Sequence, residues 1–212
     1  MEGLALPYTA RVNVMPTLPA VPHTEFSGSG RFYSALDAAL ALGSPQAVTD
    51  ALRATLSALI RDPGIQLPDA VRTPCADHYA RRELYRSPQY GYSVVAMTWG
   101  PGQGTPLHDH AGRWCVEGVW EGELDIIRYE LLESDGARAR FYPAETLRAG
   151  CGSAGSLIPP QEYHVLRNPH PDVVAVSVHV YQAPLTQCAC YRHDRDDWYI
   201  REQVCLKTDT TG

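Results

Sequence analysis

Residues 101–122 read PGQGTPLHDHAGRWCVEGVWEG. Two histidines, His108 and His110, stand one residue apart directly after a Pro/Gly loop, in a setting without helical period. In extended backbone, residues i and i+2 point to the same side. The two imidazoles therefore share a face and can hold one metal ion. A site built on such a pair ordinarily wants a carboxylate a few residues on, and Cys115 stands in that place. The competing reading is a solvated His-x-His on a surface loop.

The texture around this stretch is β-like. Runs with strand character follow one another after residue 78: HYARRELYR, YSVVAMTW, RWCVEGVW, ELDIIRYELL, GSLIPP, YHVLRN and VVAVSVHVYQ. Turn signals separate them, among them Ser87-Pro88, Gly100-Pro101-Gly102 and Asn168-Pro169. Many short strands at regular spacing predict an all-β sandwich or barrel. In VVAVSVHVY, Ser177, His179 and Tyr181 alternate with valines, so one face is apolar. The other face meets solvent or lines a cavity inside a barrel.

Upstream the period changes. Residues 1–30 are rich in Pro, Gly, Ser and Thr and read as an extended arm. RFYSALDAALAL, at 31–42, has helical character and stops at Gly43. Ser44-Pro45 then supplies an N-cap and a first-turn proline. Val48, Leu52, Leu56, Leu59 and Ile60 follow at helical spacing, which predicts an amphipathic helix over 45–61. Residues 1–75 are read as arm and helices packed on the barrel, and 76–212 as the barrel with a C-terminal extension, together one structural domain.

Bulk properties narrow the function classes. The 212 residues carry 18 Lys and Arg against 24 Asp and Glu, a formal charge of −6 that argues against a nucleic-acid binder. No apolar run is long enough to span a bilayer. The N-terminal MEGLALPYTARVNV lacks the plan of a secretory signal, so a cytoplasmic protein is expected. Of the six cysteines, Cys188-x-Cys190 is no zinc ribbon, since no second close pair follows, and most are read as structural thiols. The sequence leaves the oligomeric state open.

The spacings resemble the two cupin motifs. In the first, a glycine, two histidines, a glutamate and a closing glycine fall in order. Here Gly102, His108, His110 and Gly122 are in register, and Cys115 takes the glutamate position. In the second, Pro159, His164 and Asn168 fit, while Ser153 and Gln161 replace two glycines. The resemblance implies a mainly β, cupin-type, jelly-roll-like barrel with N-terminal α-helices. With the carboxylate gone, it leaves His108, His110 and His164 as metal ligands. Neutral imidazoles suit Fe, Zn, Cu or Ni.

More of the chain resembles one cupin group, the cysteine dioxygenase family of thiol dioxygenases. Tyr79-Ala80-Arg81 is similar to its Tyr-x-Arg, VAMTWGPGQGTPLHDH to its strand and loop into the ligands, and Ser177-Val178-His179-Val180-Tyr181 to its Ser-x-His-x-Tyr. The resemblance implies one Fe(II) per chain on the three histidines. It implies oxidation of a small carboxylate-bearing thiol by O2 to its sulfinic acid, with no nucleic-acid or membrane partner. Arg81 would clamp the substrate carboxylate with Tyr79 in reach, and Tyr181 would act at the iron, oriented by His179 and Ser177. Arg82 is the rival clamp, because adjacent strand residues face opposite ways.

Cys115 departs from the many bacterial members that carry glycine there. In eukaryotic members a cysteine at this place forms a thioether with the relay tyrosine, which implies a Cys115–Tyr181 crosslink. Arg81 favours L-cysteine over 3-mercaptopropionate, whose enzymes tend to carry Gln at the clamp. The Arg81-Arg82 pair also suits mercaptosuccinate. Readings of another class are a metal- or ligand-binding cupin without turnover, a Zn or Ni isomerase, and a quercetinase-like dioxygenase. A sugar isomerase would want the missing glutamate.

Overall fold

The structure is a computed structural model and describes residues 22–210, so most of the expected N-terminal arm lies outside the described residues. Helix α1 spans Ser29–Leu40 and α2 spans Pro45–Ile60. Gly43 takes a φ of 85° between them, a conformation that glycine adopts without a Cβ clash. Ser44 caps α2 as its sequence predicts, Oγ accepting the Ala47 N–H at 3.3 Å. The stripe of Val48, Leu52, Leu56, Leu59 and Ile60 is buried.

Eleven strands follow: β1 Ala80–Arg86, β2 Ser93–Trp99, β3 Leu107–His108, β4 Cys115–Glu121, β5 Glu123–Ser134, β6 Arg138–Gly150, β7 Ala154–Leu157, β8 His164–Arg167, β9 Ala175–Tyr181, β10 Gln187–Arg195 and β11 Trp198–Cys205. One sheet has the order β1-β2-β9-β4-β7, and six strands close on themselves as β10-β11-β6-β5-β8-β3. The fold is mainly β, the expected cupin-type barrel with N-terminal helices.

The five-stranded sheet is buried on both faces. Toward the helices it presents Val94, Ala96, Val116, Trp120, Val176, Val178 and Val180, in one cluster with Phe32, Leu36, Leu52 and Leu56. Gly118 lets α2 approach: a Cβ there would lie 2.6 Å from Ile60 Cδ1 and 3.0 Å from Leu56 Cδ2. Toward the barrel interior the same strands send Arg81, Met97, Trp99, Cys115, Glu117, Ser177, His179 and Tyr181, all buried.

The β10–β11 hairpin lies in the C-terminal segment to which the sequence assigns no role. It closes the second sheet, with Cys190 paired to His108 of β3. Beyond it, residues 206–210 run along β1. The Asp209 N–H donates to Arg81 O, and Asp209 Oδ2 accepts the Arg81 N–H at 2.8 Å.

Candidate metal centre

The HDH segment is held by its middle residue. Asp109 is buried and points away from its neighbours. Its Oδ1 accepts the N–H groups of Ala111 at 3.1 Å and Ala189 at 2.9 Å, and its Oδ2 accepts the Tyr191 hydroxyl at 3.2 Å. Glu162 Oε2 accepts the His110 N–H at 2.9 Å. Asn168 locks the far end of β8, its Nδ2 donating to the carbonyls of Trp99, Gly100 and Val173. Three elements are thereby fixed around one point.

His108, His110 and His164 meet at that point. Each offers a ligand nitrogen within 4.8 Å of the others. His108 Nδ1 lies 3.1 Å from the Pro106 carbonyl, which can only accept, so Nδ1 carries the proton and Nε2 keeps its lone pair. His164 turns its own Nε2 to within 3.2 Å of His108 Nε2. Two nitrogens bound at roughly 2.1 Å to one ion stand roughly 3 Å apart. Burial pushes His110 and His164 well below the ordinary histidine pKa and lowers His108, so the donors are neutral. Three convergent neutral imidazoles fit a metal ion.

A cavity of about 380 Å³ opens on this cluster, lined among others by Tyr79, Arg81, Met97, His108, His164, His179, Tyr181 and Leu185. Arg81 is 5% exposed. Its guanidinium donates to the carbonyls of Lys207 and Leu185 at 3.2 and 3.4 Å, and among the described residues it meets no carboxylate. A buried cation without an anion is costly, so this one is suited to an anionic ligand. Arg82 lies on the opposite face of β1, its donors taken by Thr210 O, Thr98 Oγ1 and Thr73 O. Tyr79 stacks on Trp99 with centroids 4.8 Å apart.

Ser177 and His179 are hydrogen-bonded, Oγ to Nε2, at 2.8 Å. The Trp99 indole N–H donates to the same hydroxyl at 2.9 Å. With Ser177 Oγ accepting from Trp99, its proton goes to His179 Nε2, and the His179 proton sits on Nδ1. That proton faces Glu117 Oε2 at 3.3 Å. Tyr181 lies beside His179 with its ring stacked at 5.9 Å, and among the described residues no hydrogen bond joins the two. The polar chain in this protein thus runs Trp99–Ser177–His179 toward Glu117. Cys115 pairs with Tyr181 across β4 and β9, both buried and on one face.

Sequence reasoning missed three contributors. Glu117 looks like one more polar residue of an alternating strand, although its position two residues after Cys115 puts it on the same face. Cys188 and Cys190, read as incidental, line the same cavity as the histidines. Their i, i+2 spacing in a strand was the available signal.

The sequence model of one protein family, described as cysteine dioxygenase type I, matches residues 76–195, more than half of the chain. The chain belongs to the cysteine dioxygenase type I family. The family match takes in Arg81, the three histidines, Ser177, His179 and Tyr181. Similar solved structures include a protein from Thermus thermophilus (21% identity, covering 57% of this chain and 96% of that one, TM-score 0.43). A protein with a double-stranded β-helix domain from Klebsiella pneumoniae matches at 19% identity over 58% of this chain and 92% of its own, TM-score 0.42. An oxalate oxidase in complex with glycolate matches at 20% over 51% and 53%, TM-score 0.40. Among the described residues, no helix is long and apolar enough to cross a membrane.

Proposed function

We propose that this chain is an iron-dependent thiol dioxygenase that converts a small carboxylate-bearing thiol, foremost L-cysteine, to its sulfinic acid. The single observation that carries the reading is the cavity that sets the buried Arg81, whose guanidinium meets no carboxylate among the described residues, beside His108 and His164 of the three-histidine cluster. It offers a metal at one end and a carboxylate partner at the other.

His108, His110 and His164 would hold Fe(II), which supplies a meeting point for thiolate and O2. Both oxygen atoms end on sulfur, and the sulfur supplies all the electrons that dioxygen takes up. No external reductant is needed.

The chain's own groups orient the substrate. Arg81 pairs with the carboxylate through charge-assisted hydrogen bonds. Tyr79 and Tyr181 supply hydroxyls in the cavity wall, and Met97, Leu166 and Leu185 keep the reacting end dry. Ser177 and His179 hold the wall behind Tyr181. Burial pushes the Tyr181 hydroxyl well above its ordinary pKa, so it acts as a hydrogen-bond donor. The opposed placement of Cys115 and Tyr181 supports a thioether between them. Its formation removes two hydrogens from the pair, which one dioxygen takes up as hydrogen peroxide.

Oxygen consumption by the iron-loaded protein with L-cysteine, 3-mercaptopropionate and mercaptosuccinate tests the reading. Uptake that depends on thiol and is fastest with L-cysteine is expected. Uptake fastest with mercaptosuccinate would move the substrate assignment. No uptake with any of the three would favour a binding cupin without turnover.

A further inference from the structure

Of the buried polar side-chain atoms that lack a hydrogen-bond partner among the described residues, three lie together: Glu117 Oε2, His164 Nδ1 and His179 Nδ1. Glu117 sits between the two rings. Its Oε1 is 3.7 Å from His164 Nδ1 and its Oε2 is 3.3 Å from His179 Nδ1. The separations exceed the usual N–H···O distance by about 0.3 Å at His179 and about 0.7 Å at His164, within reach of a rotation of the carboxylate.

Both rings need an acceptor at that place. His164 directs Nε2 toward His108, so as a ligand it carries its proton on Nδ1. His179 receives the Ser177 hydroxyl at Nε2, so its proton is also on Nδ1. Metal-bound histidines ordinarily donate their second N–H to a carboxylate or carbonyl, which fixes tautomer and ring orientation. Strand register puts the acceptor there: Glu117 stands opposite His179 across β4 and β9, and shares its face with Cys115.

We propose that Glu117 is a positioning residue whose single carboxylate, ionised once a cation sits on the histidines, braces both His164 and His179 through their Nδ1–H groups. The carboxylate that Cys115 displaces from the usual cupin ligand position is thus retained two residues along the strand, behind the ligands. It joins the metal's third histidine to the Trp99–Ser177–His179 chain as one unit. The proposal rests on the functional reading only in taking His164 as a ligand.

The test uses the full chain loaded with Zn(II), which supports no thiol oxidation, so its outcome is independent of the dioxygenase assignment. Zinc affinity is measured by chelator competition, and ring N–H protons are followed by NMR. In wild type, His164 and His179 each give a protected, downfield Nδ1–H signal. Glu117→Leu removes both signals and weakens zinc by roughly 10- to 100-fold. Glu117→Gln, whose amide oxygen accepts from one ring, keeps one signal and an intermediate affinity. The metal-free Leu variant is expected to melt lower, because two buried Nδ1–H groups lose their acceptor, whereas Glu117→Gln keeps the fold closer to wild type. Retention of both signals at wild-type shifts with affinity within about twofold overturns the proposal. So does wild-type zinc affinity with both signals unshifted in Glu117→Gln when only Glu117→Leu, with its lowered melting temperature, loses affinity. If Glu117→Leu fails to fold, two unshifted ring signals in Glu117→Gln overturn it equally.

Discussion

Along β9, Val176, Val178 and Val180 face the helices, while Ser177, His179 and Tyr181 face the barrel interior. The same division runs through β4, where Val116 and Trp120 oppose Cys115 and Glu117, and through β1, where Arg82 opposes Arg81. The named side chains of both faces are buried. They differ in what burial has to satisfy. The helix face is mostly a matter of shape, which α2 fills down to the missing Cβ of Gly118, and its one buried cation, Arg82, has its acceptors within the chain. The interior face buries one guanidinium, imidazoles and a carboxylate whose partners are incomplete within the chain. Two faces of one sheet thus separate the part that stabilises the fold from the part that awaits a metal and a substrate.

Substitutions that respect this division should have separable effects. The largest is His164→Ala, which removes a ligand and is expected to abolish both iron retention and thiol-dependent O2 uptake while the far-ultraviolet circular dichroism stays that of the folded protein. Tight iron in the purified variant would exclude His164 from the ligand set. Arg81→Ala removes a charge-assisted contact worth roughly 1.5–3 kcal/mol, so the KM for L-cysteine should rise roughly 10- to 100-fold with little change in melting temperature. Arg82→Ala should do the reverse, lowering stability with KM unchanged. An effect on KM from Arg82 alone would reassign the clamp.

On the helix face, Gly118→Val forces a side chain into Ile60 and Leu56 and should cost about 1–3 kcal/mol in denaturant unfolding, with iron binding kept. The smallest effect concerns Cys115. Mass spectrometry of protein turned over with iron and substrate should show the Cys115–Tyr181 peptide pair short of two hydrogens. A free Cys115 thiol in fully active protein would remove the crosslink from the account.

The interior face also gives the metal-free protein a particular pH dependence. Burial lowers His110 and His164 well below 6.5 and His179 from 6.5 to about 3. Below about pH 6.5 the unfolded chain binds more protons than the folded one, so stability falls as pH drops. Burial raises Glu117 from 4.5 to about 8. Between those values the folded chain holds the extra proton, so stability falls as pH rises. Several histidines outweigh the two carboxylates that burial raises, Glu117 and Glu162, below 6.5, which puts the maximum near there. Glu117→Gln should flatten the alkaline side in equilibrium unfolding with chelator present. An unchanged alkaline slope would show that Glu117 does not titrate in this range.

Much of this division was legible in the sequence. The period-2 pattern of β9, the His-x-His and the Ser44-Pro45 start of α2 are local signals, and each determined its element. Period alone left open which face of β1 meets the cavity, because Arg81 and Arg82 have the same chemistry and only the third dimension separates them. β6 and the β10–β11 hairpin were not legible either. Their exposed stretches, with Pro143 and runs such as Arg192–Arg195, lack the alternation that marks a half-buried strand, and they form by pairing, β6 with β5 and β10 with β11. Glu117 escaped because its meaning depends on His164 and His179, which reach it from two other strands.

The central claim is that the interior face, once it holds iron, directs both atoms of dioxygen onto a carboxylate-bearing thiol. Turnover of the iron-loaded protein with L-cysteine under labelled dioxygen measures this directly. The account predicts a sulfinate carrying two labelled oxygen atoms, one O2 consumed per thiol. A disulfide as the main product, or a sulfinate with oxygen from water, would contradict it.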